Sequence, residues 1–165
     1  MDSPASYRTA MGANYALVQE LKEADERIQD IQVEMDDVEM ALKEDQEEVE
    51  SYTDEIADCC DRINAIDEFV GDIEAGNVPA IADVASVLAN MVEERQEEEA
   101  MLKRLGEVRA CHEQQIQQLN TQLATIQEEK LMLQKRSAQI WNILGRTAVV
   151  ELVLRHLAQR SVKVL

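Results

Sequence analysis

The sequence predicts an all-α protein: a long antiparallel coiled-coil helical hairpin with a C-terminal helical extension. Three observations carry that expectation. A heptad pattern runs unbroken through the first half of the chain, a glycine-then-proline signal ends it, and the composition is that of long helices. Ala, Glu, Leu, Gln, Ile, Val and Asp dominate the 165 residues, with two prolines, five glycines and five aromatic residues. Such a profile favours helices over sheets. So few aromatics also argue against a deep small-molecule pocket.

The first helix is expected over 14–75. Its seam positions are Leu17, Leu21, Ala24, Ile28, Ile31, Met35, Val38, Leu42, Asp45, Val49, Tyr52, Ile56, Cys59, Ile63, Ile66, Val70 and Ile73. The spacing alternates four and three, a period of 3.5, which is the mark of left-handed supercoiling between helices. Asp45 is the one charged residue among them. A straight helix of this span would be about 90 Å long at 1.5 Å per residue. Residues 1–13 lack a period and contain Ser, Pro and Gly, so a flexible tail is expected there.

A turn is expected over 76–79. Gly76 stands just past the last seam residue, where a left-handed residue ends a helix, and Pro79 suits the first turn of the next. Asp83 then lies where the positive end of a helix dipole favours an acid. A second helix is expected over 80–145. Its seam runs Ile81, Val84, Leu88, Met91, Arg95, Glu98, Leu102, Leu105, Arg109, His112, Ile116, Leu119, Leu123, Ile126, Lys130, Leu133, Ser137, Ile140 and Leu144. The pattern is the same, but six positions are polar.

Residues 146–165 read differently, as an apolar and basic segment. Thr147, Glu151, Arg155 and Gln159 make a narrow polar stripe, and most other positions are apolar. A helix apolar on most of its circumference is buried from several sides. Val149, Val150, Leu152, Val153, Leu154 and Leu157 are therefore candidate partner contacts. So are Ile81, Val84, Val87, Leu88 and Met91, because between Pro79 and Met91 only Asp83, Ser86 and Asn90 are polar. One helix cannot cover so wide an apolar surface.

Charge favours a hairpin over a parallel pair of first helices. In a parallel pair Glu20 would face Asp25 and Glu34 would face Glu39, both repulsive, at a few tenths of a kcal/mol each. Folding back about Asn77 and Val78 brings residue x near 155 − x. Asp45 then lies beside Arg109, and the two form the expected charge pair within the hairpin. A charge buried without a partner would be costly. The same register brings Lys130 near Asp25 and Trp141 near Tyr15, and leaves Arg95 near Cys60 without an acid.

The net charge of −18 lies wholly in residues 1–76, which hold 23 acids and 5 bases. A backbone of phosphates would be repelled along that length, so no nucleic acid is expected. From Met101 onward bases outnumber acids, 10 to 5. That end is basic but poor in aromatics, and its thin polar stripe fits a membrane surface poorly. No run reaches the ~18 apolar residues of a membrane span. Three cysteines without a C-x-x-C pair, and no apolar signal segment, suggest a reducing, intracellular setting, cytoplasmic or cytoskeletal.

No catalytic or metal site is expected. Cys111, His112 and Glu113 are adjacent, so on a helix they point about 100° apart and form no nucleophile–base pair. Cys59 and Cys60 lack the convergent ligands of a zinc site. The acid runs lack the glycine-centred calcium loop. No cofactor and no small-molecule substrate are expected.

The expectation is thus a non-enzymatic scaffold subunit of a cytoskeletal, ciliary, kinetochore or tethering type, whose partners are other proteins. The alternative is a regulatory module whose hairpin opens to engage a partner helix. Ile at many positions of both seam classes favours more than two strands. Two hairpins in a four-helix bundle, or a hetero-assembly, would satisfy that preference.

Overall fold

The computed structural model describes residues 4–78 and 83–162, with side chains for 12–78, 83–148 and 151. It is an all-α helical hairpin of two helices: α1 (Pro4–Glu74, 71 residues) and α2 (Val84–Val162, 79 residues). No strand occurs among the described residues.

The chain divides into two compact units. The first joins Met1–Val38 to Gln122–Leu165, and the second is Glu39–Thr121. In the first unit α1 and α2 run antiparallel, joined by Glu20–Arg136 and Arg27–Glu129. In the second they are again antiparallel, joined by Asp45–His112, Arg62–Glu98 and Asp67–Arg95. Glu20–Arg136 and Arg27–Glu129 are both symmetric about Val78, within one residue of the fold-back expected from the sequence.

Burial follows the 3.5-residue period. Every expected α1 seam position from Leu17 to Ile73 is buried or half-buried, and so is every α2 position from Leu88 to Leu144. Ile31 and Ile140 are fully enclosed in the first unit and Cys59 in the second. Enclosing an isoleucine is worth about 2 kcal/mol, an exposed ion pair well under 1. The seam therefore holds the helices together, while the flanking ion pairs chiefly select their alignment.

The end of α1 shows why the chain turns. Gly76 has φ +73°, the left-handed conformation that a side chain disfavours. Asn77 N donates to Asp72 O at 2.9 Å and Gly76 N to Ile73 O at 3.1 Å, the paired bonds of a Schellman cap. Asp83 opens α2: its Oδ1 accepts from Ser86 N at 3.1 Å and its carbonyl from Val87 N at 3.2 Å. Asp83 is thus an N-cap, satisfying an amide that the helix start leaves free.

Three expected boundaries change. α1 begins at Pro4, so residues 4–13 are helical rather than a loose tail. Pro is well placed at a helix start, where its missing N–H costs nothing, and the alanines that follow favour helix. The second helix begins at Val84, not residue 80, because the Asp83 cap sets its first turn. Pro79 and Ile81 lie outside the described residues. No break separates 80–145 from 146–165, since α2 continues to Val162. The side chains of Val149, Val150, Leu152, Val153, Leu154 and Leu157 lie outside the described set.

Candidate functional site

The second unit holds a set of polar residues where a two-helix core would ordinarily be apolar. Asp45 is 8% exposed. Its Oδ1 lies 2.7 Å from His112 Nδ1. A carboxylate can only accept, so Nδ1 carries the proton of this bond. The imidazole also stacks on Tyr52, ring centroids 5.7 Å apart. Asp45 was expected to meet Arg109. Instead Arg109 reaches along its own helix to Glu113, Nε to Oε1 at 3.2 Å. The long guanidinium stem leaves the seam for its i+4 neighbour, whereas the short, flat imidazole stays in it.

Further toward the turn, Glu98 sits at the centre of a second cluster. Arg62 grips its carboxylate at both oxygens, Nε to Oε1 at 2.8 Å and Nη2 to Oε2 at 2.9 Å. The buried Cys59 Sγ lies 3.0 Å from Glu98 Oε2 and 3.2 Å from the Glu98 carbonyl, so one thiol proton serves two acceptors. The bond to Glu98, then burial, pushes the Cys59 thiol above its usual range. The Arg62 hydrogen bonds, aided by the thiol, hold Glu98 below the usual carboxylate range. Such a thiol is a poor nucleophile.

Arg95 completes this stretch. It was expected to find no acid, but its Nε donates to Asp67 Oδ1 at 2.7 Å and it also pairs with Glu99. The Arg95 hydrogen bond holds Asp67 below its usual range. The expectation missed Asp67 because that residue lies seven positions, about two turns, from Cys60: the Asp67–Arg95 pair is centred on position 81 rather than between Asn77 and Val78.

The first unit repeats the device on one flank. Arg136 Nε donates to Glu20 Oε1 at 2.6 Å, and Arg27 Nε to Glu129 Oε1 at 2.8 Å. These hydrogen bonds hold Glu20 and Glu129 below the usual range. Lys130 Nζ donates to Gln32 Oε1 at 2.6 Å, an amide rather than Asp25. Ser137 is buried, and its Oγ has no hydrogen-bond partner among the described residues.

Of the apolar candidates near the turn, Val84 is 43% exposed, while Val87, Leu88 and Met91 are half-buried. The sequence reading did not single out Val92, which is 52% exposed. Farther along α2, Leu131 and Trp141 are 49% and 62% exposed. Trp141 and Tyr15 are both largely exposed.

An open groove of about 340 Å³ lies beside Glu98, lined by Arg62, Ala65, Ile66, Glu94 and Glu97. Its one charged pair, Arg62–Glu98, is already closed on itself. Among the described residues no three His, Cys, Asp or Glu side chains converge as metal ligands, and no helix is long and apolar enough to cross a membrane. The arrangement is suited to contact between helices, through apolar side chains and paired charges. No family model, curated protein or solved structure matches the chain.

Proposed function

We propose that the chain is a structural subunit, without catalytic activity of its own, that joins other proteins through coiled-coil contacts. The observation that carries this reading is the heptad seam of both helices, buried or half-buried at each position from Leu17 to Ile73 and from Leu88 to Leu144. A seam of this length spends most of the sequence on positioning two helices. Exposed Val84, Val92, Leu131 and Trp141 leave apolar surface for further proteins. Free thiols at Cys59, Cys60 and Cys111 suit a reducing intracellular compartment. Assemblies of the cytoskeletal, ciliary, kinetochore or tethering type all use such subunits. Purification from the cells that make it, with mass spectrometry and the molar mass of the complex, tests the reading. Proteins present in fixed ratio are expected. A lone monomer at cellular concentration refutes it.

A second reading rests on the polar seam residues Arg95, Glu98, Arg109 and Lys130. Their hydrogen bonds could be exchanged for those of a partner, so the hairpin would open as a regulatory switch. Hydrogen exchange separates the two: a scaffold is protected uniformly over 14–144 once assembled, a switch exchanges fast over 93–137.

A further inference from the structure

We propose that Asp45 and His112 are the register key of the second unit: they admit one alignment of α1 against α2 and strand a buried carboxylate in its nearest alternatives. The hairpin needs this key whatever proteins the chain assembles with.

Aliphatic layers alone do not fix an alignment. The seam repeats every seven residues, so sliding α2 by one heptad returns seam positions to seam positions. Such a slide moves a helix about 10 Å. Gly76 brings the chain back near the observed alignment. The nine residues between Glu74 and Val84 nevertheless span up to about 30 Å when extended, enough to permit the slide. The flanking pairs Arg62–Glu98 and Asp67–Arg95 centre on positions 80 and 81, since long guanidinium arms reach different distances along the partner helix. Exposed pairs of this kind are individually weak.

The contacts within the seam agree with one another. Asp45–His112 and Cys59–Glu98 lie two heptads apart on both helices, and both centre midway between positions 78 and 79. Their short side chains allow little play. Asp45 Oδ1 is 2.7 Å from His112 Nδ1, and Cys59 Sγ is 3.2 Å from the Glu98 carbonyl. A slide of one heptad sets the buried Asp45 against Leu105 in one direction and against Leu119 in the other, and neither side chain can donate a hydrogen bond. Arg109, a turn from Leu105, is no farther from Asp45 in the observed alignment and yet bonds Glu113. No cation stands within a turn of Leu119 on α2. Lys43, the nearest cation along α1, pairs with Glu47. His112 would meet Tyr52, its present stacking neighbour, in one slide. Asp45 is therefore the half of the key that rejects both. Two α1 helices lying parallel and in register would set Asp45 against its own counterpart, so the same carboxylate disfavours that pairing.

Cys59 reads the alignment directly, because its sulfur rests against residue 98. In a chain carrying Cys60→Ser and Cys111→Ser, the heptad neighbours of that position are changed one at a time, as Met91→Cys or Leu105→Cys. Glu98→Cys serves as the control for the observed alignment. Each full chain is equilibrated in a glutathione redox buffer, and mass spectrometry gives the fraction of intrachain disulfide. With Asp45 and His112 present, both slipped sites are expected to bond at least about tenfold less than the control. With Asp45→Leu and His112→Leu, at least one slipped site is expected to gain about tenfold or more, with the helical circular dichroism retained. Asp45→His with His112→Asp rebuilds the pair in reverse and is expected to return the slipped disulfide to its original level. Slipped disulfides as rare in the leucine chain as in the parent overturn the proposal. So does a slipped disulfide already abundant in the parent. Loss of helix in the leucine chain overturns it as well, since the pair would then supply stability rather than alignment.

Discussion

Asp45 and His112 meet across the second unit, Oδ1 to Nδ1 at 2.7 Å, in a seam otherwise built largely of aliphatic side chains. Asp45 is the more deeply buried of the two, with its side chain 10% exposed against 25% for His112. Removing its partner leaves a carboxylate with little water. His112→Leu is expected to cost about 1–3 kcal/mol of unfolding free energy. Asp45→Leu with His112→Leu is expected to recover at least that loss, because a packed apolar pair carries no desolvation penalty. Urea denaturation of both single variants and the double closes the cycle. Additive effects would show that the two residues do not interact.

Acid should erase the contribution of the Arg62–Glu98 clasp. Glu98 is held below the ordinary glutamate value of 4.5 by the Arg62 hydrogen bonds. A folded-state value lower than the unfolded one stabilises the fold above the unfolded value and ceases to do so as pH falls through the folded one. Glu98→Gln is therefore expected to be less stable than the parent at pH 7. The gap is expected to narrow once the pH is well below 4.5. Paired denaturation curves at neutral and acid pH measure it, and a gap constant with pH would exclude an ionic origin.

Ser137 sits in the seam with a hydroxyl that has no partner among the described residues. Ser137→Ala removes a buried polar group and supplies a better helix former. A gain of about 1 kcal/mol is expected, read as a higher midpoint in thermal denaturation. A loss would mean that the hydroxyl finds a partner in solution.

Gly76 carries the left-handed step of the turn at φ +73°, and among the described residues other than its chain neighbours no atom lies within 4 Å of where its Cβ would stand. The cost of Gly76→Ala is thus conformational rather than steric, about 1 kcal/mol. Gly76→Asn, which tolerates that region better, is expected to cost less. Equal stabilities for the three would show that the turn does not depend on this residue.

The three thiols should separate by reactivity. Cys111 is exposed and Cys60 half-buried. Cys59 is buried with its proton engaged by Glu98. Labelling of the native protein with a maleimide is expected to modify Cys111 first, Cys60 more slowly and Cys59 only on unfolding. Glu98→Gln is expected to speed the reaction at Cys59. Early labelling of Cys59 would contradict its enclosure.

Much of this architecture follows from the order of residues alone. The period of 3.5 marks which α1 side chains are buried, since a helix can hide only one stripe against a single neighbour. Gly76 marks the reversal, because only its backbone takes the left-handed step cheaply. Those two features also set the register of the first unit to within a residue, as Glu20–Arg136 and Arg27–Glu129 show, whereas Arg62–Glu98 and Asp67–Arg95 of the second unit centre on positions 80 and 81. What the sequence could not decide was which polar groups pair. Register fixes the positions of backbones, but a side chain of arginine length reaches several neighbours across or along its helix. Asp45 could therefore be matched to Arg109 on paper and find His112 in the fold, while Arg95 found Asp67. The exposure of Leu131 and Trp141 is a tertiary result as well, because only the packed fold shows which α2 side chains keep contact with water.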